Sequence, residues 1–399
     1  MATELVETSA DGTIPGTGFT KAHQLFRESV RRFIDQQINP YVDEWEQARM
    51  FPAHELFKKA GDLGLLGLSY PEEYGGAGAD YWYNMALAEE LSRINCGGIP
   101  MALSVQSDMA TPALNQYGSH ELKKQFLEPA IRGDAVCSVA VTEPEAGSDV
   151  AAIRTKAERH GDEYVINGSK LYITNGVQAD WICLLARTSP GAGYKGMSLI
   201  VVPTDVKGFA VAKKLEKMGN WSSDTAELVF DNVRVPVANC IGEEGMGFIY
   251  QMQQFQNERL VSSLGAAASA EKILKMTIDY CRGRKTFGKP LIENQWICFK
   301  LTELISEVEF LRQMCYHCGR LMDRGQDYTR EASMAKLKAG RLARKVADTC
   351  MQFHGGMGYM EEYPMARYYR DSRLWSIGAG ADEIMLGIIA KFEGIAPSR

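Results

Sequence analysis

The sequence predicts a multidomain α+β protein, with helical regions at both ends and an antiparallel β region in the middle. Three observations carry this reading. Apolar residues recur at helical spacing up to about residue 132 and again after Gly247. From Cys137 to about Val237 the texture changes to short β-rich runs parted by turn residues. No helix-length connection separates those runs, which argues for an antiparallel barrel or sandwich over a parallel sheet. At 399 residues and ~150 residues per domain, the length allows two or three domains. The expected division is a flexible N-terminus at 1–18, an α-helical domain at 19–135, a β domain at 136–238 and an α-helical domain at 239–399.

Each region has its own signature. Between Phe19 and Ala48, Leu25, Phe26, Val30 and Phe33 fall on one helical face. Further helical stretches follow, punctuated by Pro71, the Gly75–Gly78 turn and Gly97–Pro100. The glycines at 75–78 follow no strand, so they read as a loop between helices and not as a dinucleotide fingerprint. The β-rich runs are CSVAVTE, EYVING, KLYITNG, WICLLAR, MSLIVVP and AELVFDNVRVP, with turn signals at Asn167-Gly168, Asn175-Gly176 and Pro203. Long helical segments then run to about residue 394.

Composition excludes several function classes. Hydrophobic residues make up 45% and charged residues 24%, an ordinary globular balance. A net charge of −6 disfavours non-specific nucleic-acid binding. No apolar run approaches the ~20 residues of a membrane-spanning helix. The opening stretch MATELVETSADGTIPGTG is acidic and rich in Gly and Thr, unlike a secretory signal or an Arg-rich transit peptide. The expected location is the bacterial cytoplasm, or the mitochondrial matrix as a processed form. Nine scattered cysteines form no disulfide framework, and Cys315 and Cys318 read as thiols on a packed helix with no metal role.

Four ordered segments carry the chemistry: CSVAVTEPEAGSD (Cys137–Asp149), KLYITNG (Lys170–Gly176), RKTFGKPL with Asn294-Gln295 following, and QFHGGMGYMEEYP (Gln352–Pro364). With them the chain resembles the acyl-CoA dehydrogenase family over nearly its whole length. The resemblance implies an acyl-CoA dehydrogenase fold, with an N-terminal helical domain, a middle antiparallel β-barrel and a C-terminal four-helix bundle around FAD. It also implies a homotetramer built as a dimer of dimers, an acyl-CoA substrate and an electron-transferring flavoprotein as acceptor.

The resemblance assigns roles position by position. Val141 and Thr142 suit the polar edge of the isoalloxazine, Gly147 and Ser148 are counted with them in the cofactor set, and Ser148 also lies near the acyl-CoA. The glycine lets backbone approach a ligand closely. Glu143 and Asp149 are expected to cap or brace this turn. Tyr172, Ile173 and Thr174 match the family's aromatic-Ile-Thr, where the ring covers the flavin and the threonine reaches N5; most relatives have Trp at the Tyr172 position. Arg284, Thr286 and Phe287, with Gln295, reach the FAD of a neighbouring subunit, a basic turn suited to a pyrophosphate. Gln352, Gly355 and Gly356 approach the same cofactor, and His354 among them reads as structural. Ala381 and Glu383 complete the cofactor set. Ala381-Asp382 replaces the common Thr-Ser, removing a hydroxyl and requiring Asp382 to point away from phosphate.

The family reaction needs a carboxylate to remove the α-proton of a thioester while the β-hydrogen leaves as hydride. Many members carry that glutamate in a Tyr-Glu-Gly-Thr loop, where this chain has Gly378-Ala379-Gly380-Ala381. The isovaleryl- and long-chain-type members carry it on an earlier helix in a Glu-Arg-Leu run, matched here by Glu258-Arg259-Leu260. Glu258 is therefore the expected base, with Arg259 ordering the site. A surface charge pair is the competing reading. Gln256, Ser262, Gly378, Ala379 and Gly380 complete the expected substrate contacts, with the Ala379 amide donating to the thioester carbonyl as in an oxyanion hole. Gly378 and Ser262 stand where bulkier side chains narrow related pockets, so medium-to-long or 3-methyl-branched chains, isovaleryl- or citronellyl-like, are expected. An oxidase using oxygen, or an assembly protein without turnover, are the alternatives.

Overall fold

The structure, a computed structural model, describes residues 12–189 and 193–397. Residues 1–11 of the expected flexible N-terminus, with the processing reading of that stretch, lie outside the described residues. Thr13 bridges Thr20, and Ile14 N–H donates to Phe19 O at 2.7 Å, which closes a turn ahead of the first helix. The helices of nine or more residues are α1 (Lys21–Gln37), α2 (Ala53–Asp62), α3 (Tyr81–Leu91), α4 (Gly247–Gly283), α5 (Gln295–Asp323), α6 (Thr329–His354), α7 (Pro364–Ser372) and α8 (Asp382–Phe392). The first helical pattern does not run unbroken to Ala48. A 3-10 turn at Asn39–Tyr41 interrupts it, because Pro40 lacks an N–H and its ring would clash with the preceding turn, and helix resumes at Val42.

The chain forms two compact units. One comprises the described residues up to Val42, Asp80–Gly97 and the described residues from Arg259 onward. Its core includes a helical cluster in which Leu260, Leu264, Leu274, Leu301, Leu304, Leu311, Leu342 and Val346 are buried. Phe19 and Trp82 join it edge to face, with ring centroids 5.1 Å apart. Cys315 and Cys318 are buried in α5 within this core, as expected of packed thiols.

The other unit spans Asp43–Ala79 and Gly98–Glu258 and holds the sheet. Its strands are β1 (Cys137–Ala140), β2 (Lys156–His160), β3 (Glu163–Thr174), β4 (Trp181–Arg187), β5 (Met197–Pro203), β6 (Phe209–Lys214) and β7 (Thr225–Pro236). They run in the order β1-β4-β2-β3-β7-β6, with β5 paired to β4. β4 and β5 are nearly continuous apolar runs because both of their faces are covered. Cys183, Leu185, Leu199 and Val201 pack with Leu114, Leu127 and Ile131, while Ile182, Leu184, Ile200 and Val202 face Ile166, Leu228 and Phe230.

Two strand expectations are corrected. The sheet is mainly antiparallel, but β1 and, at one position, β2 pair with β4 in parallel. Asn167-Gly168 is not a turn: it lies inside the twelve-residue β3 at a register shift against β7. Gly168 has φ +149°, and a Cβ there would come 2.5 Å from Thr155 Oγ1, so the position requires glycine for a bulge.

Candidate active site

In the sheet-bearing unit the site begins where β1 ends. Glu143 N–H donates to Ala146 O at 3.0 Å and Ala146 N–H to Glu143 O at 3.2 Å, closing a tight turn at Pro144-Glu145. The Glu143 carboxylate is buried. It accepts from Arg154 N–H at 2.6 Å, from Thr155 N–H at 2.9 Å and from Lys170 Nζ at 2.9 Å. Burial pushes Glu143 up, but the Lys170 charge and these donors outweigh it and hold the carboxyl below its ordinary range. Burial in turn lowers the Lys170 ammonium to about 8, against the pull of Glu143. Glu143 thus braces the turn as expected. Asp149 does not: its side chain is exposed and caps nothing before the 3-10 turn at Val150. Gly147 and Ser148 are exposed beyond the brace, while Val141 is buried and Thr142 half-buried.

Lys170 also donates to Val141 O at 2.8 Å, tying β3 to the end of β1. Immediately after it the β3–β7 register shifts between Lys170 and Ile173. The bulge leaves Tyr172 at φ +63° and 67% exposed, while Ile173 is buried beneath it. An aromatic residue in the left-handed region costs about 1–3 kcal/mol and persists only where its surroundings fix it. Ser138 Oγ donates to Thr174 O at 2.5 Å, and Asn175 Nδ2 to Ala102 O at 2.9 Å, which fix the strand end.

The first three turns of α4 belong to the same unit and run antiparallel to the helical stretch Gly98–Tyr117. Tyr250 stacks on Tyr117 with ring centroids 3.8 Å apart. Four residues later, Gln254 accepts from Ala113 N–H at 3.2 Å and donates to Met109 O at 2.8 Å. One turn further lies Glu258, abreast of the π-helical segment Val105–Ala110. Glu258 is 5% exposed, so it is no surface carboxylate. Gln256, two residues earlier, is half-buried and donates to Met252 O at 3.2 Å. The π segment carries Asp108, whose Oδ2 accepts from Ser104 at 2.9 Å and Ser107 at 3.2 Å. Burial raises its pKa to about 6. Sequence reading missed Asp108 and Lys170; the parity of Tyr164, Ile166 and Lys170 along β3 was the available signal for the latter.

The helical unit holds the remaining candidates in two groups. In the first, Arg259 is buried, and its Nη2 lies 3.9 Å from where a Cβ on Gly380 would stand. The loop before α8 is left-handed at Ala379 (φ +56°) and Gly380 (φ +95°). The atoms nearest to a Cβ on Gly378 belong to Leu374, at 3.6 Å, and a Cβ on Gly265 would meet Ala88 O at 3.6 Å. These are ordinary contact distances, so neither position is forced to be glycine by crowding, and Ser262 is half-buried. Ala381 is the N-cap of α8 and makes no side-chain cap bond. Asp382 turns inward, accepting from Arg344 Nη2 at 3.0 Å with Arg341 Nε at 3.7 Å, and so is accounted for within the protein. Glu383 is exposed in the first turn.

The second group surrounds a short hairpin, β8 (Lys285–Thr286) with β9 (Lys289–Pro290). Arg284, Thr286 and Gln295 are exposed, and Phe287, at φ +51°, is 105% exposed. Trp296 meets Phe353 edge on at 5.5 Å, and Tyr280 stacks on His354 at 4.3 Å, which bring the hairpin beside Gln352, Gly355 and Gly356. His354 is buried with Nδ1 2.8 Å from Cys350 O, and burial lowers its pKa, in keeping with a structural role.

Within each unit, glycine positions leave open surface of the kind that a flavin dinucleotide needs. A Cβ on Gly355 or Gly356 would meet nothing within 4 Å, and one on Gly147 only Thr142 Cγ2 at 3.9 Å. The protein's own packing leaves those cradles open. Tyr172 and Phe287 are exposed aromatics in left-handed backbone, an arrangement suited to being covered by a bound group.

Comparison with known proteins agrees in all three regions. Family models match residues 20–134 (acyl-CoA dehydrogenase, N-terminal domain), 138–233 (middle domain) and 245–393 (C-terminal domain). The chain is 40% identical over 375 residues to the mitochondrial long-chain specific acyl-CoA dehydrogenase of Rattus norvegicus, covering 94% of this chain and 86% of that one. It is 35% identical over 374 residues to the mitochondrial isovaleryl-CoA dehydrogenase of Solanum tuberosum, covering 94% and 90%. The crystal structure of an acyl-CoA dehydrogenase from Geobacillus kaustophilus superposes with a TM-score of 0.91 at 38% identity, covering 94% of this chain and 98% of that one. The chain belongs to the acyl-CoA dehydrogenase family.

Proposed function

We propose that the protein is an FAD-dependent acyl-CoA dehydrogenase that uses Glu258 as its base and forms a trans-2-enoyl thioester. The observation that carries the assignment is the burial of Glu258 and Arg259 on α4, together with an alanine in the loop position where many relatives keep their glutamate. Bound FAD supplies the hydride acceptor. Glu258 takes the α-proton, acting as a general base positioned by its helix. Ala379 donates its backbone N–H to the thioester carbonyl, stabilising negative charge as the α-proton leaves. Val141, Thr142, Gly147, Tyr172, Ile173 and Thr174 hold the ring system. Ser148 and Gln256 contact the substrate. The exposed group of Arg284, Thr286, Phe287, Gln295, Gln352, Gly355 and Gly356 binds the dinucleotide across a subunit boundary in a homotetramer, with Ala381 and Glu383 beside it.

Gly378 and the small Ser262 favour medium-to-long or 3-methyl-branched acyl chains. Related enzymes named for long-chain and isovaleryl substrates bracket that range. An electron-transferring flavoprotein is the proposed acceptor, and a cytoplasmic or matrix location fits bacterial and mitochondrial relatives alike. Among the described residues no helix is long and apolar enough to cross a membrane. Glu258→Gln tests the assignment: FAD content stays at the wild-type level while turnover falls by at least ~100-fold. Substantial remaining turnover with FAD bound removes Glu258 as the base.

A further inference from the structure

Helix α6 presents Lys336, Gly340 and Arg344 four residues apart, along one stripe of its surface. Each member of the stripe meets the segment 375–382. Lys336 is 1% exposed, and its Nζ donates to Trp375 O at 2.7 Å and to Gly380 O at 3.2 Å. Gly340 has no room for a side chain: a Cβ there would lie 2.7 Å from Ser376 Oγ, 2.9 Å from Trp375 O and 3.0 Å from Asp382 Oδ1. Arg344 Nη2 donates to Asp382 Oδ2 at 3.0 Å. The ammonium thus pins the segment at both ends, the glycine lets its backbone lie directly on α6, and the guanidinium anchors the start of α8.

Between the pins lie Ala379 at φ +56° and Gly380 at φ +95°. Left-handed alanine is disfavoured unless its surroundings impose it. A buried ammonium is costly to desolvate, and here both of these donations go to carbonyls that bracket the strained turn. We infer that Lys336 and Gly340 are positioning residues that hold the Ala379 amide in the orientation from which it donates to the thioester carbonyl. The inference rests on the role proposed above for that amide and deepens it. Neither residue touches the substrate; both act through the 375–380 backbone.

The test compares Lys336→Met, Lys336→Arg and Gly340→Ala in the full-length, FAD-loaded protein. The probe is a chromophoric 2-enoyl-CoA bearing an electron-donating aryl group, whose absorption moves to longer wavelength when its carbonyl accepts hydrogen bonds. Wild type shows the red shift. Lys336→Met and Gly340→Ala keep the wild-type FAD content but lose most of the red shift, and kcat falls about 10–100-fold with little change in KM. Lys336→Arg, which keeps a donor, retains most of the shift. Folded Lys336→Met or Gly340→Ala protein with the wild-type red shift and kcat, even at a lowered melting temperature, overturns the inference in favour of a purely structural role. Gly340→Ala adds one methyl without changing any charge, so it decides the matter if Lys336→Met does not accumulate. A wild-type protein that turns over acyl-CoA without red-shifting the probe refutes the amide's role and this inference together, leaving Glu258 as the base. No turnover by wild type refutes the parent reading itself.

Discussion

Glu258 and Asp108 are two carboxylates of one unit in different settings. Glu258 is buried on α4, and Asp108 lies on the π segment abreast of it with two serine hydroxyls on one oxygen and, among the described residues, no arginine or lysine paired to it. Burial raises the folded-state pKa of Asp108 to about 6, from an ordinary value of 3.8. The sign follows from proton linkage. Between these values the folded state keeps a proton that the unfolded chain has released, so this stabilising contribution is full below 3.8 and lost as pH rises through 6. Asp108→Asn is therefore expected to be the more stable protein at pH 7.5, by about 1–2 kcal/mol after allowance for partial exposure. The advantage should vanish below pH 4. Denaturant midpoints at the two pH values check it, and equal stability at pH 7.5 contradicts it.

The proposed substrate range carries its own test. On that proposal, Ser262→Leu is expected to shift preference toward shorter acyl chains. Each pocket group discriminates by only about 1–3 kcal/mol, so kcat/KM for a long chain should fall ~10-fold or more while a short chain is spared. An equal response of long and short substrates contradicts this account of the pocket.

At the scale of elements, the helical parts were legible in the sequence because their chemistry lies on continuous local patterns. Glu258, Arg259 and Leu260 lie within one helix, and the loop at 378–381 precedes another, so the family resemblance could be read off short contiguous motifs. The sheet was less legible. Asn167-Gly168 carries the chemistry of a turn, yet the same backbone freedom serves a bulge inside β3. β2 and β6 escaped the apolar reading because their residues are mostly exposed. The outward Tyr172 depends on a second bulge, which no alternation of residue types encodes. Helix α8 supplies a separate test. Its N-cap, Ala381, is extended (φ −60°, ψ 158°) but has no hydroxyl to accept from the first turn. Ala381→Ser should raise stability by about 1 kcal/mol, read as a higher denaturation midpoint at constant FAD content. An unchanged or lower midpoint indicates that the turn cannot accept a capping side chain.

At the scale of the molecule, the texture change from helix to strand and back gave the order of its parts, and three family models match in that order. What the linear pattern did not give was the tertiary support: Lys170 under the Glu143 turn, Gln254 between α4 and the π segment, and the Lys336 stripe under the 375–380 segment. Each joins residues at least 27 positions apart, and each is visible only once the chain is folded. The most direct measurement is an anaerobic titration of the FAD-loaded protein with straight-chain and 3-methyl-branched acyl-CoAs, following flavin absorbance. The account predicts that the flavin bleaches with medium-to-long and 3-methyl-branched thioesters in wild type and with none in Glu258→Gln. Absence of bleaching by any thioester in the wild-type protein contradicts it.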